Sequence, residues 1–465
     1  MKLIYDVKDK PRFGELIIFA IQQLLAIMAA TLVVPVIINS GNEVLASTQP
    51  MSSVAALFGA GCGTLIYLMF TKMRSPVFLG SSFAFLGSMA AAFAGAISVQ
   101  VGYLGIILGA IFAGLVYVVI AIIVKFAGVN WINKLMPTVV IGPTVAIIGL
   151  SLAGNAIGDM SKGSYLVNEV PTASPIVTII CGIVTLLVVC FSSVYGKKIG
   201  KLIPFIIGIL AGYATAAAFT AIGYATGNEA LMVSNFAPIT ALFADGVTIN
   251  SFFTLPDFTF VTALKGLKDI NASYIVSVIV AYVPVAFVVF TEHIADHKNI
   301  SSIIEKDLLE DPGLSRTLLG DGVGSMVGAL FGGCPNTTYG ESVGCVAITR
   351  NASVYTILTA AIMAIIISFI SPFVAFVNSI PSCVMGGVCM ALYGFIAVSG
   401  LKMVQKVDLE DNRNLFVVSA ILIAGIGGLT LTFGKVTITS IACALILGII
   451  VNTVLSIKKP KETNE

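Results

Sequence analysis

Apolar runs long enough to cross a lipid bilayer follow one another from end to end of this chain. A bilayer core is about 30 Å thick, so a run of about 17 or more apolar residues spans it as a helix. With 57% hydrophobic and 10% charged residues over 465 positions, the composition excludes a soluble globular protein, where about a quarter of residues carry charge. The net charge of +2 carries no message about nucleic acid or acidic partners. Charge here matters by its placement.

The pattern predicts fourteen crossing segments, near 15–38, 51–71, 76–95, 101–127, 137–153, 174–194, 200–223, 272–295, 315–332, 335–350, 354–378, 381–400, 413–431 and 436–457. Basic residues collect on the cytoplasmic side of membrane proteins. With a cytoplasmic N-terminus, 21 of the 25 Lys and Arg fall inside, and only Lys162, Lys265, Lys268 and Lys435 fall outside. A missed or extra span would scramble that alternation. The reading is therefore an all-α, multi-pass protein of the cell membrane with both termini cytoplasmic. Lys2 to Arg12 reads as a charged tail and not as a cleaved leader. Between 224 and 271 lies the one sizeable extramembrane stretch, whose mixed content predicts short interfacial helices and no catalytic constellation.

Near residue 340 the membrane pattern breaks. The run Gly332-Gly333-Cys334-Pro335-Asn336-Thr337-Thr338-Tyr339-Gly340-Glu341-Ser342 is small, polar and helix-breaking, yet it lies between apolar stretches. Irregular backbone at membrane depth is tolerated only where protein buries it or where it lines a cavity. An ionisable group in such a place marks a functional site. Ser342 to Arg350 makes a helix of roughly 13 Å, less than half the bilayer, so the rest of the segment must be extended.

The chain also echoes itself. Pro137-Thr138-Val139-Val140-Ile141-Gly142 opens the fifth segment and Pro381-Ser382-Cys383-Val384-Met385-Gly386 opens the twelfth. Gly80-Ser81-Ser82-Phe83-Ala84-Phe85 in the third matches Asn336-Thr337-Thr338-Tyr339-Gly340-Glu341 in the tenth. Seven segments separate each pair, and an odd-numbered repeat must insert upside down relative to its partner. Two inverted seven-segment repeats are expected, with short extended strands breaking segments 3 and 10. Matched interruptions in two halves point to a transporter's binding site. The two extended pieces would pair as a ribbon. The half-helices after Phe85 and Glu341 would aim N–H donors at the centre. Donors beside a carboxylate, with aromatic faces from Phe83 and Tyr339, suit a flat heterocycle bearing both N–H and carbonyl groups.

Segment eight ends in Thr291-Glu292-His293-Ile294-Ala295-Asp296-His297. Glu292 and Asp296 share a helical face, and His293 is turned away. By hydropathy Glu292 falls at the cytoplasmic end of its span. In Leu319-Gly320-Asp321-Gly322-Val323-Gly324-Ser325-Met326-Val327-Gly328 the small residues predict close helix packing. Asp321 there reads as an N-terminal or interfacial charge. The eight cysteines (Cys62, Cys181, Cys190, Cys334, Cys345, Cys383, Cys389, Cys443) show no CxxC or Cys/His spacing and read as small buried hydrophobes. Neither metal nor cofactor is expected.

The strings Ser81-Ser82-Phe83-Ala84-Phe85, Thr291-Glu292-His293-Ile294 and Pro335-Asn336-Thr337-Thr338-Tyr339-Gly340-Glu341, continuing to Ala347-Ile348-Thr349-Arg350, resemble the nucleobase–ascorbate transporter family. The likeness is nearest to its bacterial uracil permease branch and runs from Gln22-Gln23 to the last segment. The resemblance implies a core domain (1–135 and 272–379) and a gate domain (136–271 and 380–465). It implies proton-coupled uptake of a nucleobase, uracil foremost, by a homodimer. Carried over, the substrate-binding residues are Phe83, Glu292, Tyr339, Gly340 and Glu341, and the proton-coupling groups are Glu292, Asp296 and Glu341. Pro137, Gly142, Pro381 and Gly386 would shape the gate helices at the moving interface. Uracil permeases usually place histidine where Asp296 stands; the xanthine and urate branch tends to have aspartate there, but glutamine in place of Glu341. Glu341 should face the ring directly, which favours uracil over xanthine or urate.

Other classes fit less well. Leu318-Leu319-Gly320-Asp321 lacks the leading glycine of an intramembrane aspartyl protease motif, and no HExxH or acid-rich metal cluster supports a membrane hydrolase, so no enzyme is expected. A channel asks for a repeated pore loop. Inverted-repeat anion carriers place basic or neutral residues where Glu341 stands and often append a cytoplasmic domain.

Overall fold

Glycine, proline and short polar runs cut the apolar chain into helices. The computed structural model describes residues 3–128, 137–167, 170–197, 199–244, 246–433 and 436–456. Lys2, Lys134, Lys198, Lys435 and the tail from 457, used above as orientation marks, lie outside the described residues.

In the first part of the chain come α1 (Phe13–Ser40), α2 (Ser53–Phe70), strand β1 (Leu79–Ser81), α3 (Leu86–Ala94) and α4 (Val99–Ala127). Next are α5 (Thr138–Ser151), α6 (Ala153–Met160), the strands β2 (Leu166–Val167) and β3 (Val170–Pro171), α7 (Pro175–Tyr195) and α8 (Pro204–Thr226). After the long connection come α9 (Ala272–Ile304), α10 (Leu314–Gly332), β4 (Asn336–Thr338) and α11 (Gly340–Thr349). The chain closes with α12 (Val354–Ile367), α13 (Ser371–Ser379), α14 (Ser382–Val404), α15 (Asn412–Ile426), β5 (Leu431–Phe433), β6 (Val436–Ile438) and α16 (Ser440–Ser456). Local chemistry sets the boundaries. Ser52, Ser98, Asn271 and Ser353 each cap a helix by accepting a first-turn N–H, and Pro175 and Pro204 open α7 and α8 where a missing N–H costs nothing.

Eight of the described helices are long and apolar enough to cross a bilayer: α1, α2, α4, the α5–α6 run, α7, α8, α9 and α14. This is a multi-pass membrane protein. The other expected segments appear as shorter apolar helices, as the glycine-rich α10, or as the strand–helix pairs β1–α3 and β4–α11. Helix α9 runs on to Ile304, nine residues beyond the expected end, so Glu292 lies well inside a 33-residue helix and not at its edge. The 224–271 stretch folds into short pieces, among them Ala237–Thr240 and Thr259–Lys265.

Packing follows the small residues. Helix α10 lies against α2 and α4, α9 against α4, and α12 against α1 and α2; separately, α14 lies against α5, α6 and α7, and α15 against α5 and α16. At the α2–α10 crossing a Cβ on Gly59 would meet the Gly328 carbonyl oxygen at 2.5 Å, and one on Gly63 would meet that of Gly324 at 2.7 Å. The glycine spacing of α10 does allow close approach of two backbones. Gly142 faces Val404 and Met403 of α14, and Gly386 faces Ala156 and Met160 of α6. Both serve packing among neighbouring helices.

One prediction follows from the α2–α10 crossing. A Cβ at Gly328 would fall 2.2 Å from Nδ2 of buried Asn336, whereas one at Gly87 meets nothing within 4 Å. Gly328→Ala is expected to destabilise by about 1–3 kcal/mol through overpacking. Gly87→Ala is expected to melt at or above the wild-type temperature in detergent.

Candidate functional site

Strands β1 and β4 pair antiparallel, with Leu79 opposite Thr338, Gly80 opposite Thr337 and Ser81 opposite Asn336. Pro76 and Pro335 stop helix formation just ahead of each strand, and the β-branched Thr337 and Thr338 suit the extended form. The ladder continues at both ends: Ser82 N–H donates to the Pro335 carbonyl (2.9 Å) and Tyr339 N–H to that of Phe78 (3.2 Å). Side chains complete the accounting. Leu79 N–H donates to Thr64 Oγ1 (3.0 Å), Phe78 N–H to Ser342 Oγ (3.0 Å), and Asn336 Nδ2 to the Gly59 carbonyl (3.1 Å). Gln23 of α1 donates to the Ser342 hydroxyl.

Tyr339 lies flat on the ribbon. Its hydroxyl donates to the Ser81 carbonyl (2.6 Å), and a Cβ on Gly80 would sit 2.3 Å from its ring. Glycine at 80 is required by that close approach. Behind the strands the chain turns at once into helix: a 3₁₀ turn, Phe83–Phe85, leads into α3, and α11 begins at Gly340. Glu341 therefore sits inside the first turn of α11, which starts two residues earlier than expected. First-turn N–H groups have no intrahelical acceptor and form a ready site for electron-rich atoms.

A cavity of about 450 Å³ lies against the ribbon. All six residues singled out above line it: Phe83, Glu292, Asp296, Tyr339, Gly340 and Glu341. Thr338 donates a hydrogen bond to Asp296 Oδ2 (2.9 Å), which fixes that carboxylate beside the strand end. Gly340 opens onto free space, since the nearest atom to a Cβ there would be Asp296 Oδ1 at 3.8 Å. The opposite wall is apolar, with Ile141, Val145 and Ile148 of α5 and Leu392, Phe395 and Ile396 of α14. From the ribbon the lining runs out to Lys201, Asn299, Ile348 and Met403, near the ends of their helices, where exposed side chains leave it open. Three carboxylates, oriented backbone donors and an apolar lid make a site for a small, flat, polar molecule.

Sequence reasoning missed two parts of this arrangement. Ser82 and Thr337 also line the cavity, and among the described residues their buried hydroxyls have no partner. Their place in the two matched hydroxyl pairs, Ser81-Ser82 and Thr337-Thr338, was the available signal. The second omission is Asp321, which is no interfacial charge. It is fully buried and its Oδ2 lies 2.6 Å from His293 Nδ1. The Thr317 hydroxyl lies 3.1 Å from the Leu314 carbonyl and 3.0 Å from His293 Nε2; with the hydroxyl donating to the carbonyl, Nε2 donates to Thr317 Oγ1. With Nε2 protonated, the Asp321–His293 contact holds one proton between carboxylate and ring, and the pair is net neutral. His297 stacks on His293 at 4.0 Å and reaches Tyr67 (2.7 Å). Helix α9 thus turns Glu292 and Asp296 to the cavity and His293 and His297 to α10 and α2.

The chain is similar to known proteins in sequence and in fold. A model described as the Permease family matches residues 14–434. The uracil permease of Bacillus caldolyticus is 36% identical over 98% of this chain and 95% of its own length. That of Escherichia coli (strain K12) is 33% identical, again over 98% and 95%. Among solved structures, the transmembrane domain of the cyanobacterial bicarbonate transporter BicA covers 96% of this chain and 98% of its own, with TM-score 0.56 and 15% identity. Murine Slc26a9, an anion transporter in the inward-facing state, covers 97% of this chain and 69% of its own, with TM-score 0.60 and 10% identity. These two likenesses concern the fold.

The buried bridge gives a test of how α9 is held. Asp321→Ala strands the His293 ring nitrogen and is expected to destabilise the protein by about 3 kcal/mol or more. Asp321→Asn, whose amide N–H meets the same nitrogen, is expected to cost only about 1 kcal/mol. Thermal melting of the purified variants separates the two.

Proposed function

The chain belongs to the nucleobase–ascorbate transporter family, and we propose that within it this protein carries uracil into the cell in symport with protons. Its relatives are named permeases, so it is a transporter and not an enzyme. The observation that carries the proposal is the meeting of Glu292, Asp296, Glu341 and the N-terminus of α11 on one cavity at the strand crossing.

Uracil presents two N–H donors and two carbonyl acceptors on a flat ring. N–H groups near Phe83 and Gly340 would meet the carbonyls, and Glu341 and Glu292 would accept from the ring nitrogens. Tyr339 shapes the floor. Carboxylates gathered in a water-poor pocket repel one another, so a proton taken up from outside lets the site close on its substrate. Asp296, one turn along α9 from Glu292, would relay that proton. Release of base and proton inside resets the site.

The wider architecture on this reading is fourteen spans in two inverted repeats of seven. Packing of α1, α2, α4, α9, α10 and α12 among themselves supports a core domain, and packing of α5 to α7 with α14 to α16 supports a gate. The gate would rock against the core across the apolar wall of the cavity. By the distribution of basic residues the open end faces the cytoplasm, so the conformation is inward-open, both termini lie inside and the membrane is the cytoplasmic one. A homodimer belongs to the same reading.

Uptake of labelled uracil by expressing cells tests it, with excess xanthine as competitor and a protonophore as control. Uptake should collapse with the protonophore and ignore xanthine. Competition by xanthine would move the substrate to the purines, and protonophore resistance would remove the coupling. Glu341→Gln should lower uptake by about a hundredfold at unchanged membrane abundance, the loss of one charge-assisted hydrogen bond and of a coupling group together.

A further inference from the structure

Residues 3–10 lie folded against the ends of the two helices that carry the cavity's carboxylates. Tyr5 bridges Asn351 in parallel register. Ile4 N–H donates to the Arg350 carbonyl (2.8 Å), Ala352 N–H to that of Tyr5 (2.9 Å) and Val354 N–H to that of Val7 (3.0 Å). The Ser353 hydroxyl donates to the Asp9 carbonyl (2.6 Å). Val7 is 4% exposed, and Lys10 Nζ stands 5.1 Å above the Tyr355 ring. These contacts hold the turn after α11. Asp6 forms an ion pair with Lys306, two residues beyond the end of α9.

Both helices end in an unusual way. Glu305 after α9 and Arg350 after α11 are left-handed, with φ of 55° and 56°, where glycine is the common choice. An L-residue holds that conformation where its surroundings fix it. Here the segment 3–10 supplies part of those surroundings at both ends: a backbone donor on Arg350 and a carboxylate on Lys306.

We infer that residues 3–10 form a strap that couples the ends of α9 and α11, so that Glu292 and Asp296 on one helix keep a fixed placement relative to Glu341 on the other. Tyr5, Asp6 and Val7 are positioning residues. None of the three lines the cavity, and they act through the two helices. The link to transport rests on the function proposed above; the mechanical coupling does not. Because the strap and the half-helix are bonded through 350–354, loosening one frees the other.

Two measurements on the full-length protein test this. In purified protein without substrate, deletion of residues 3–9 should speed amide hydrogen exchange across 340–349 by about tenfold or more, while exchange in α5 and α14 stays as in wild type. In cells, the same deletion should raise the uracil KM about fivefold with Vmax per inserted copy changed less than about twofold. The single reversals Asp6→Lys and Lys306→Asp should each raise KM about twofold, the modest size of an exposed pair, and the double reversal should restore it. Unchanged exchange in 340–349 overturns the coupling, and so does faster exchange spread evenly over every helix. Faster exchange confined to 340–349 upholds it even if wild type takes up no uracil, a result that would overturn only the functional reading.

Discussion

Everything in this molecule depends on how two interrupted membrane segments satisfy their backbone where no water is available. A helix broken at mid-depth leaves N–H and C=O groups exposed at a cost of several kcal/mol each. Here each break supplies the other's partners. Three residues of β1 pair with three of β4, and the flanking Ser82 and Tyr339 N–H groups extend the ladder by one bond on each side. Such a short ribbon cannot stand alone. Thr64 of α2, Ser342 of α11 and Gln23 of α1 tie it in, and Asn336 wedges between α2 and α10 where Gly63 and Gly328 leave room. The glycines of α10 and the polar residues of the break thus belong to one design. The first creates the slot that the second fills.

Two consequences for the site follow from that arrangement. The antiparallel ribbon starts one half-helix at each of its ends, and Phe83 of one start and Gly340 of the other both line the cavity. It also fixes α9 relative to the strand end through the Thr338–Asp296 bond. Helix α9 then solves an electrostatic problem by dividing its polar residues between faces. The carboxylates Glu292 and Asp296 look into the cavity, while His293 and His297 look into protein. There Asp321, Thr317 and Tyr67 satisfy them without adding net charge. A buried ion pair is poor evidence for stability, yet it can specify a single rotation of a helix. A rotation of α9 by one residue would bury Glu292 unpaired, so the bridge excludes it.

Much of this was legible in the sequence, and the limits have physical causes. The break at 335–340 announces itself because proline and clustered hydroxyls cannot be hidden in a membrane helix, and the one in the third segment was inferred from its echo at 80–85. Their pairing follows from hydrogen-bond accounting alone. Glu341 stood out because a carboxylate inside a helix break is rare in such a chain, whereas Glu292 and Asp296 were carried over from the family resemblance. The length of α9 was underestimated: hydropathy averages over a window, and the helix runs on through the polar residues to Ile304, where His293 and His297 are buried against neighbouring helices that no single-segment sum contains. Asp321 was misread for the same reason. Between glycines it looks like a loop charge, and only the tertiary fold brings His293 to it. Gly142 and Gly386 carry an echo that draws attention, but the identity of their packing partners is a three-dimensional fact.

The cavity's composition constrains any account of transport. Glu292, Asp296 and Glu341 line one space, and Lys201 is the one basic residue that lines it among the described residues. Open to water at one end, the cavity can hold separated negative charges, because solvent and salt screen them. Closed against the apolar wall of α5 and α14, the same charges would lose that screening and repel more strongly. Closure therefore requires partners for the carboxylates: donors from a bound molecule, protons, or both. A substrate with two N–H groups supplies part of the requirement and a proton the rest, so binding of each favours binding of the other. On the proposed reading coupling would need no separate device. It would follow from moving an apolar wall over acidic groups that can be closed off only when neutralised.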